Sequence, residues 1–159
     1  SKIVTYAWPM IRMGELYLNY AESINELSGP SEEAYNALNT IRERAGIPNV
    51  ETSWSDPVIA LNLNKHTSQD GLRDIIRQER LIGLSFEGNR YNDLRRWKLA
   101  HEYFNSPVHG WSVDESTTDN YYNITQVGVR SFNYPRDYFH PISINEITIN
   151  PNLTQNPGW

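Results

Sequence analysis

From Arg12 to Leu27 the apolar positions are Met13, Leu16, Tyr17, Tyr20, Ile24 and Leu27, a three-and-four spacing that predicts one face of a helix. Gly29-Pro30 ends it. Ser31 then offers an N-cap, and Glu32 and Glu33 in the first turn favour the positive end of the helix dipole. The buried stripe of this second helix is expected at Ala34, Leu38, Ile41 and Ala45, with Gly46 and Pro48 as its stop. Two helices joined by so short a link pack antiparallel, as an αα-hairpin. Residues 47–67 hold turn formers without a sustained period and read as a loop. A third helix is predicted from Thr67 or Ser68, with Leu72, Ile75, Ile76, Ile82 and Phe86 on or near one face. Glu87-Gly88-Asn89 interrupts it. A fourth runs through RYNDLRRWKLA, carrying Tyr91, Leu94 and Trp97.

After Ala100 the periodicity disappears. Residues 101–139 alternate only around ITQVGVRSF, which predicts a short strand, and NPNLTQNPGW at the end reads as an extended tail. Irregular stretches longer than about 12–15 residues are uncommon in compact domains. This one holds Tyr103, Phe104, Trp111, Tyr121, Tyr122, Phe132, Tyr134, Tyr138 and Phe139, too apolar a set for disorder, so it is expected to fold back on the helices. The predicted fold class is mainly α, with long irregular loops and at most a few short strands. Its 159 residues are read as one domain, 1–159.

Composition narrows the function. With 14 Lys+Arg against 19 Asp+Glu the net charge is -5, which argues against nucleic acid as the partner, since phosphate binding needs clustered cations. The absence of Cys removes disulfides, thiolate metal sites and Cys nucleophiles. No stretch approaches the roughly 20 apolar residues that span a bilayer. The first residues lack a signal region, and the chain is expected to be a C-terminal fragment of a larger protein. Ten Tyr and five Trp against four Phe are the unusual feature, because Tyr and Trp pair an apolar ring with a polar handle and suit binding surfaces.

The densest ionic cluster lies in ERLIGLSFEGNRYNDLRRW, residues 79–97. Glu87 and Arg90, Arg90 and Asp93, and Asp93 and Arg96 are each three apart and would be neighbours on a helix. One reading makes Glu79 and Glu87 the acid and base of a glycosidase. The preferred reading is a structural network of Glu79, Arg80, Glu87, Arg90, Asp93 and Arg96. Arginines beside both carboxylates would depress their pKa values, which suits an ion pair and spoils a general acid. His66, His101, His109 and His140 show no metal-ligand spacing and read as loop or cap residues. Asp114, Glu115 and Asp119 form an acidic loop without the calcium-loop pattern, so no metal is assigned.

Four blocks together resemble the C-terminal part of the SusD/RagB family. They are IRMGELYLNYAESINE (11–26), AYNALNTIRERAGIP (34–48), ERLIGLSFEGNRYNDLRRW (79–97) and HPISINEITINPNLTQNPGW (140–159). The third carries the most diagnostic residues, Glu79-Arg80, Glu87-Gly88, Arg90, Asp93-Leu94 and Arg96-Trp97. Gly83 departs from the family, which usually has a second Glu there, and Trp159 replaces the more usual Tyr. The family's N-terminal half, with its lipid-anchored Cys, is not in this sequence. The resemblance implies a tetratricopeptide-like helical hairpin and a non-enzymatic lipoprotein without a cofactor. It places such a protein on the outward face of the outer membrane of Bacteroidetes-type bacteria. There it would serve a SusC-like TonB-dependent transporter by capturing oligosaccharides, or sometimes peptides. Membrane contact would run only through the lipid anchor of the N-terminal part.

Sugars stack their C–H faces on exposed Trp and Tyr. Trp54, in a Ser- and Asp-flanked segment, Trp111 in HGWSVDES, and Tyr121 and Tyr122 in TTDNYYNIT lie in polar surroundings and are the candidate ligand contacts. Their alternative role is to anchor loops. Tyr17 and Trp97 are assigned to the core, and Tyr20, Tyr35 and Tyr91 to helix packing. The rival function is a protein-interaction scaffold docking on the transporter, which an exposed apolar patch beyond a few hundred Å² would favour.

Overall fold

The computed structural model describes residues 10–159, so the reading of residues 1–9 as lacking a signal region lies outside them. The chain divides into two compact units, with the boundary after Arg90. Eight α-helices and one two-stranded sheet are found among the described residues, a mainly α fold as predicted.

The first unit is built on α1 (Met13–Ser28), α2 (Glu32–Arg44), α3 (Val50–Ser55) and α4 (Gln69–Gly83). Gly29 ends α1 with φ +79°, a conformation that L side chains rarely adopt. The Ser31 hydroxyl accepts from the Ala34 N–H at 3.3 Å, and Ser68 caps α4 in the same way, accepting from Gly71 at 3.1 Å. Gly71 is required there, since a Cβ would lie 1.9 Å from the Lys65 carbonyl oxygen of the turn Lys65–Thr67. The core joins Leu18 and Ala21 of α1, Ala34, Ala37 and Leu38 of α2, Val50 of α3, and Leu72, Ile75 and Ile76 of α4, with Leu84 beyond it.

Three expectations change in this unit. The face that α1 buries is Gly14, Leu18, Ala21 and Asn25, while Met13, Leu16, Tyr20 and Leu27 stand exposed. Ala21 meets Ala34 and Ala37 in the same core cluster, and small residues let two helix backbones approach closely, so the narrow stripe wins over the larger apolar one. Asn25 belongs to this face because its Nδ2 donates to the Gln69 carbonyl at 3.0 Å while Gln69 Nε2 donates back to the Asn25 carbonyl at 2.7 Å. Second, the presumed loop 47–67 contains α3, which Asn39 organises: its Oδ1 accepts from the Val50 N–H and its Nδ2 donates to Glu51, both at 2.9 Å. Third, α4 ends at Gly83 rather than at Glu87-Gly88, so Ile82 and Phe86 are exposed and Leu84 fills the core place.

The second unit begins within α5 (Asn89–Arg96) and continues through α6 (Ala100–Phe104), β1 (Pro107–Trp111), α7 (Thr118–Tyr121), β2 (Ile124–Val129) and α8 (Ile144–Ile149). β2 is the predicted strand. β1 is its antiparallel partner, with Trp111 opposite Ile124, His109 opposite Gln126 and a bulge between Val108 and His109. The predicted fourth helix breaks between Arg96 and Ala100, where Lys98 takes φ +58°. The aromatic segment does fold back, for Phe132 is buried with Leu94 and Ala100, and Trp97, Leu99, Phe104 and Tyr138 pack around them. α8 was unforeseen, since a six-residue run with Ile144, Ile147 and Ile149 is too short to establish a helical period.

Candidate functional site

Three of the four candidate rings meet at the end of the β1–β2 hairpin where Trp111 stands opposite Ile124. Ring centroids of Trp111 and Tyr122 are 5.2 Å apart, those of Tyr121 and Tyr122 5.2 Å, and those of Trp111 and Tyr121 6.0 Å, all tilted or edge-to-face. The backbone brings them together. The N–H of Ser112, next to Trp111, donates to the carbonyl of Tyr121 at 3.0 Å, and the single turn α7 is drawn against the end of β1. β1 alternates exposed and half-buried positions, which sends Trp111 outward. Trp111 remains 54% and Tyr122 58% exposed, with Tyr121 half-buried beneath them. A ring cluster so exposed offers apolar faces to a ligand while its indole N–H and phenol groups stay available for hydroxyls.

Trp54 is positioned differently. It lies on α3, half-buried against the core of the first unit, with the Lys65 ammonium 5.8 Å from its ring centroid. Its surroundings are those of a packing residue. Of the aromatics assigned to helix packing, Tyr17, Tyr35 and Trp97 are partly buried against a core, whereas Tyr20 and Tyr91 are 49% and 44% exposed.

The ionic residues form ties between elements. Glu79 pairs with Arg42, whose Nε also donates to the Pro48 carbonyl at 2.7 Å and whose Nη2 donates to Ser53 at 2.8 Å. One guanidinium thus joins α2, α3 and α4. Arg80 is buried and donates to Asn19 of α1 at 2.6 Å, with Glu22 4.0 Å away. Glu87 is gripped through both oxygens by Arg12 Nε, at 2.9 and 2.8 Å. The Arg12 hydrogen bond holds the Glu87 carboxyl below its ordinary value of 4.5, and Arg73 does the same for Glu26. Asp93 and Arg96 pair at 3.0 Å as their spacing predicts. Arg90 is half-buried. A general acid needs a raised pKa, so Arg-bound Glu87, held below its ordinary value, lacks the setting of one.

The second unit also holds a cleft that the sequence did not reveal. It encloses about 500 Å³ and is walled by Tyr91, Phe104, Phe132, Phe139 and Trp159, with Arg130 at its edge. Its walls come from segments far apart in the chain, two of which read as helix packing and as tail. Among the described residues no group of His, Asp or Glu is arranged to hold a metal ion, and Asp114, Glu115 and Asp119 do not form one. No helix of the described residues is long and apolar enough to cross a membrane.

A sequence profile of the SusD family matches residues 1–159. SusD-like protein P2 of Formosa agariphila is 34% identical over 150 residues, which is 94% of this chain and 25% of that protein. SusD-like protein P38 of the same organism is 33% identical over 105 residues, 66% of this chain and 20% of its own length. Among solved structures, selenomethionine BT4246 aligns with a TM-score of 0.77 at 31% identity, covering 97% of this chain and 25% of that one. A SusD homolog from Bacteroides thetaiotaomicron aligns with a TM-score of 0.64 at 25% identity over 99% of this chain and 30% of that one. The chain therefore spans about a quarter of the length of these relatives. The profile, the relatives and the helical framework agree, and the chain belongs to the SusD family.

Proposed function

We propose that this chain is the C-terminal part of a non-catalytic nutrient-binding lipoprotein that captures oligosaccharides on the outer face of the outer membrane. SusD-like proteins are in general glycan- or nutrient-binding surface lipoproteins, and this chain supplies a contact suited to that task. The captured glycan would pass to a SusC-like TonB-dependent transporter. The lipid anchor would lie in the N-terminal part of the longer protein.

The observation that carries the reading is the ring trio Trp111, Tyr121 and Tyr122, of which Trp111 and Tyr122 are exposed. Large rings left half in water at the end of a hairpin are costly unless something covers them, and a pyranose C–H face is a suitable cover. Trp54 is dropped from the contact set in favour of packing. The non-catalytic role is supported by the arginine-bound state of Glu79 and Glu87. Titration of the full-length parent with its glycan, before and after Trp111→Ala, tests the reading, and a loss of at least about fivefold in affinity is expected.

A protein-docking role has one observation in its favour. Met13, Leu16, Tyr20 and Leu27 make an apolar face on α1, and Val58, Leu61 and Leu63 project from the loop before Lys65 with 91%, 98% and 53% exposure. Such surfaces suit contact with protein, either the transporter or the rest of a longer chain. The two roles use different surfaces. Co-purification of the transporter with a Leu61→Ser, Leu63→Ser variant separates them, since that variant would weaken docking and leave glycan affinity intact.

A further inference from the structure

We infer that the aromatic cleft of the second unit binds a sugar bearing a carboxylate, a hexuronate, at a site separate from the ring trio on the hairpin. The inference takes its ligand class from the glycan-binding reading but uses none of the trio residues.

The volume of about 500 Å³ lies within the range of small-ligand sites. Phe104 and Phe132 form its floor, stacked at 6.1 Å with an interplanar angle of 26°. Tyr91, Phe139 and Trp159 stand around it at 44%, 43% and 49% exposure, as ring faces at a mouth rather than as core. Three guanidiniums lie on these rings: Arg95 5.4 Å from the Tyr91 centroid, Arg130 5.5 Å from Phe104 and Arg136 4.7 Å from Trp159. An arginine spread on a ring keeps its N–H edge directed outward, ready for a planar two-oxygen acceptor.

The charged side chains that line the cleft are Arg130 and Asp137, and the carboxylate is already engaged. Asp137 is taken by Arg136 at 2.7 Å and by the Asn133 N–H at 2.7 Å. Arg95 is tied to the Tyr138 carbonyl and to His140, neither of them anionic. Arg130 donates to the Ser106 hydroxyl at 3.5 Å. Among the described residues neither Arg95 nor Arg130 has a carboxylate in ion-pair range, in a chain whose net charge is -5. A neutral sugar in the cleft would return to Arg130 only a hydrogen bond to an uncharged hydroxyl, whereas a carboxylate would return a stronger, charge-assisted one. The other requirements fit a pyranose, which gives C–H faces to the rings and hydroxyls to Ser131 and His140.

Calorimetric titration of the chain with trigalacturonate and with its carboxyl-reduced, neutral counterpart tests the site. A preference for the acid form of about tenfold or more is expected, the scale of one hydrogen-bonded charge. Arg130→Gln should bring the two ligands within about twofold of each other, and Arg130→Lys should keep part of the preference. Arg130 is exposed, so circular dichroism should show both variants folded. Equal affinity for the two ligands, no binding of either, or a preference that survives Arg130→Gln would overturn the assignment. So would tighter binding of acetyl-Gly-Phe, which would make the cleft a site for peptide carboxylates. Trp111→Ala should leave the uronate preference unchanged, so the cleft and the ring trio can fail separately.

Discussion

Arg42 shows how much structure one charged residue can organise. Its guanidinium reaches Glu79 of α4, the Pro48 carbonyl and Ser53 of α3, and the side chains of the Arg42–Glu79 pair are only 10% and 15% exposed. Removing one partner of so buried a pair leaves the other without compensation. Arg42→Ala is therefore expected to lower stability by about 3 kcal/mol in urea unfolding. Arg73→Ala, which breaks the more exposed contacts to Glu26 and Asp70, should cost under about 1 kcal/mol. Equal losses in the two variants would contradict this ranking. The pH dependence follows from Glu26 and Glu87, whose folded-state pKa values lie below the ordinary 4.5 because Arg73 and Arg12 bind their charged forms. The unfolded chain then binds more protons at acid pH, so their contribution is fully present above about 4.5 and is lost as pH falls through the lowered values. Thermal melts from pH 7 to 3 should show a decline that begins below about 4.5, and Glu87→Gln should flatten part of it. Glu79 and Glu87 were singled out in the sequence, but their partners Arg42 and Arg12 were not. Spacing along the chain shows only near neighbours, whereas the tertiary fold delivers Arg12 to Glu87 from the other end of the unit.

At the level of elements, the caps carried most of the readable information. Ser31, Ser68 and Gly29 act where their chemistry says they should, because each satisfies or ends backbone groups locally. The buried face of α1 was not readable, since it depends on how closely α2 approaches. A small-residue stripe leaves no stronger mark in the sequence than the larger apolar residues it displaced. The same holds for α3, whose start is fixed by Asn39 from the neighbouring helix rather than by its own cap. Gly71→Ala tests the tight seat of α4 on the turn at Lys65. Since its Cβ would fall 1.9 Å from a carbonyl oxygen, it should destabilise more than Ser68→Ala, whose lost cap costs about 1 kcal/mol. A Gly71→Ala protein that melts at the wild-type temperature would mean that α4 is seated differently.

For the whole molecule, the helical class and the family were open to reading because periodicity and motif blocks survive in one dimension. The surfaces were less so. Trp111, Tyr121 and Tyr122 were singled out one by one for their polar neighbours, but nothing in their spacing foretold a single cluster, which Ser112 closes through the backbone. The cleft was hidden altogether, since Tyr91, Phe104, Phe132 and Trp159 meet only after folding. The aromatic excess thus resolves into packing residues, a ring trio with two exposed members and the walls of a cleft. The trio carries the central claim, that this chain touches the glycan its parent captures. Calorimetry of the full-length parent with its glycan, comparing wild type with a Trp111→Ala, Tyr122→Ala double variant, tests that claim directly. The account predicts a loss of at least about tenfold in affinity with the fold intact by circular dichroism, and unchanged affinity in a folded variant would contradict it.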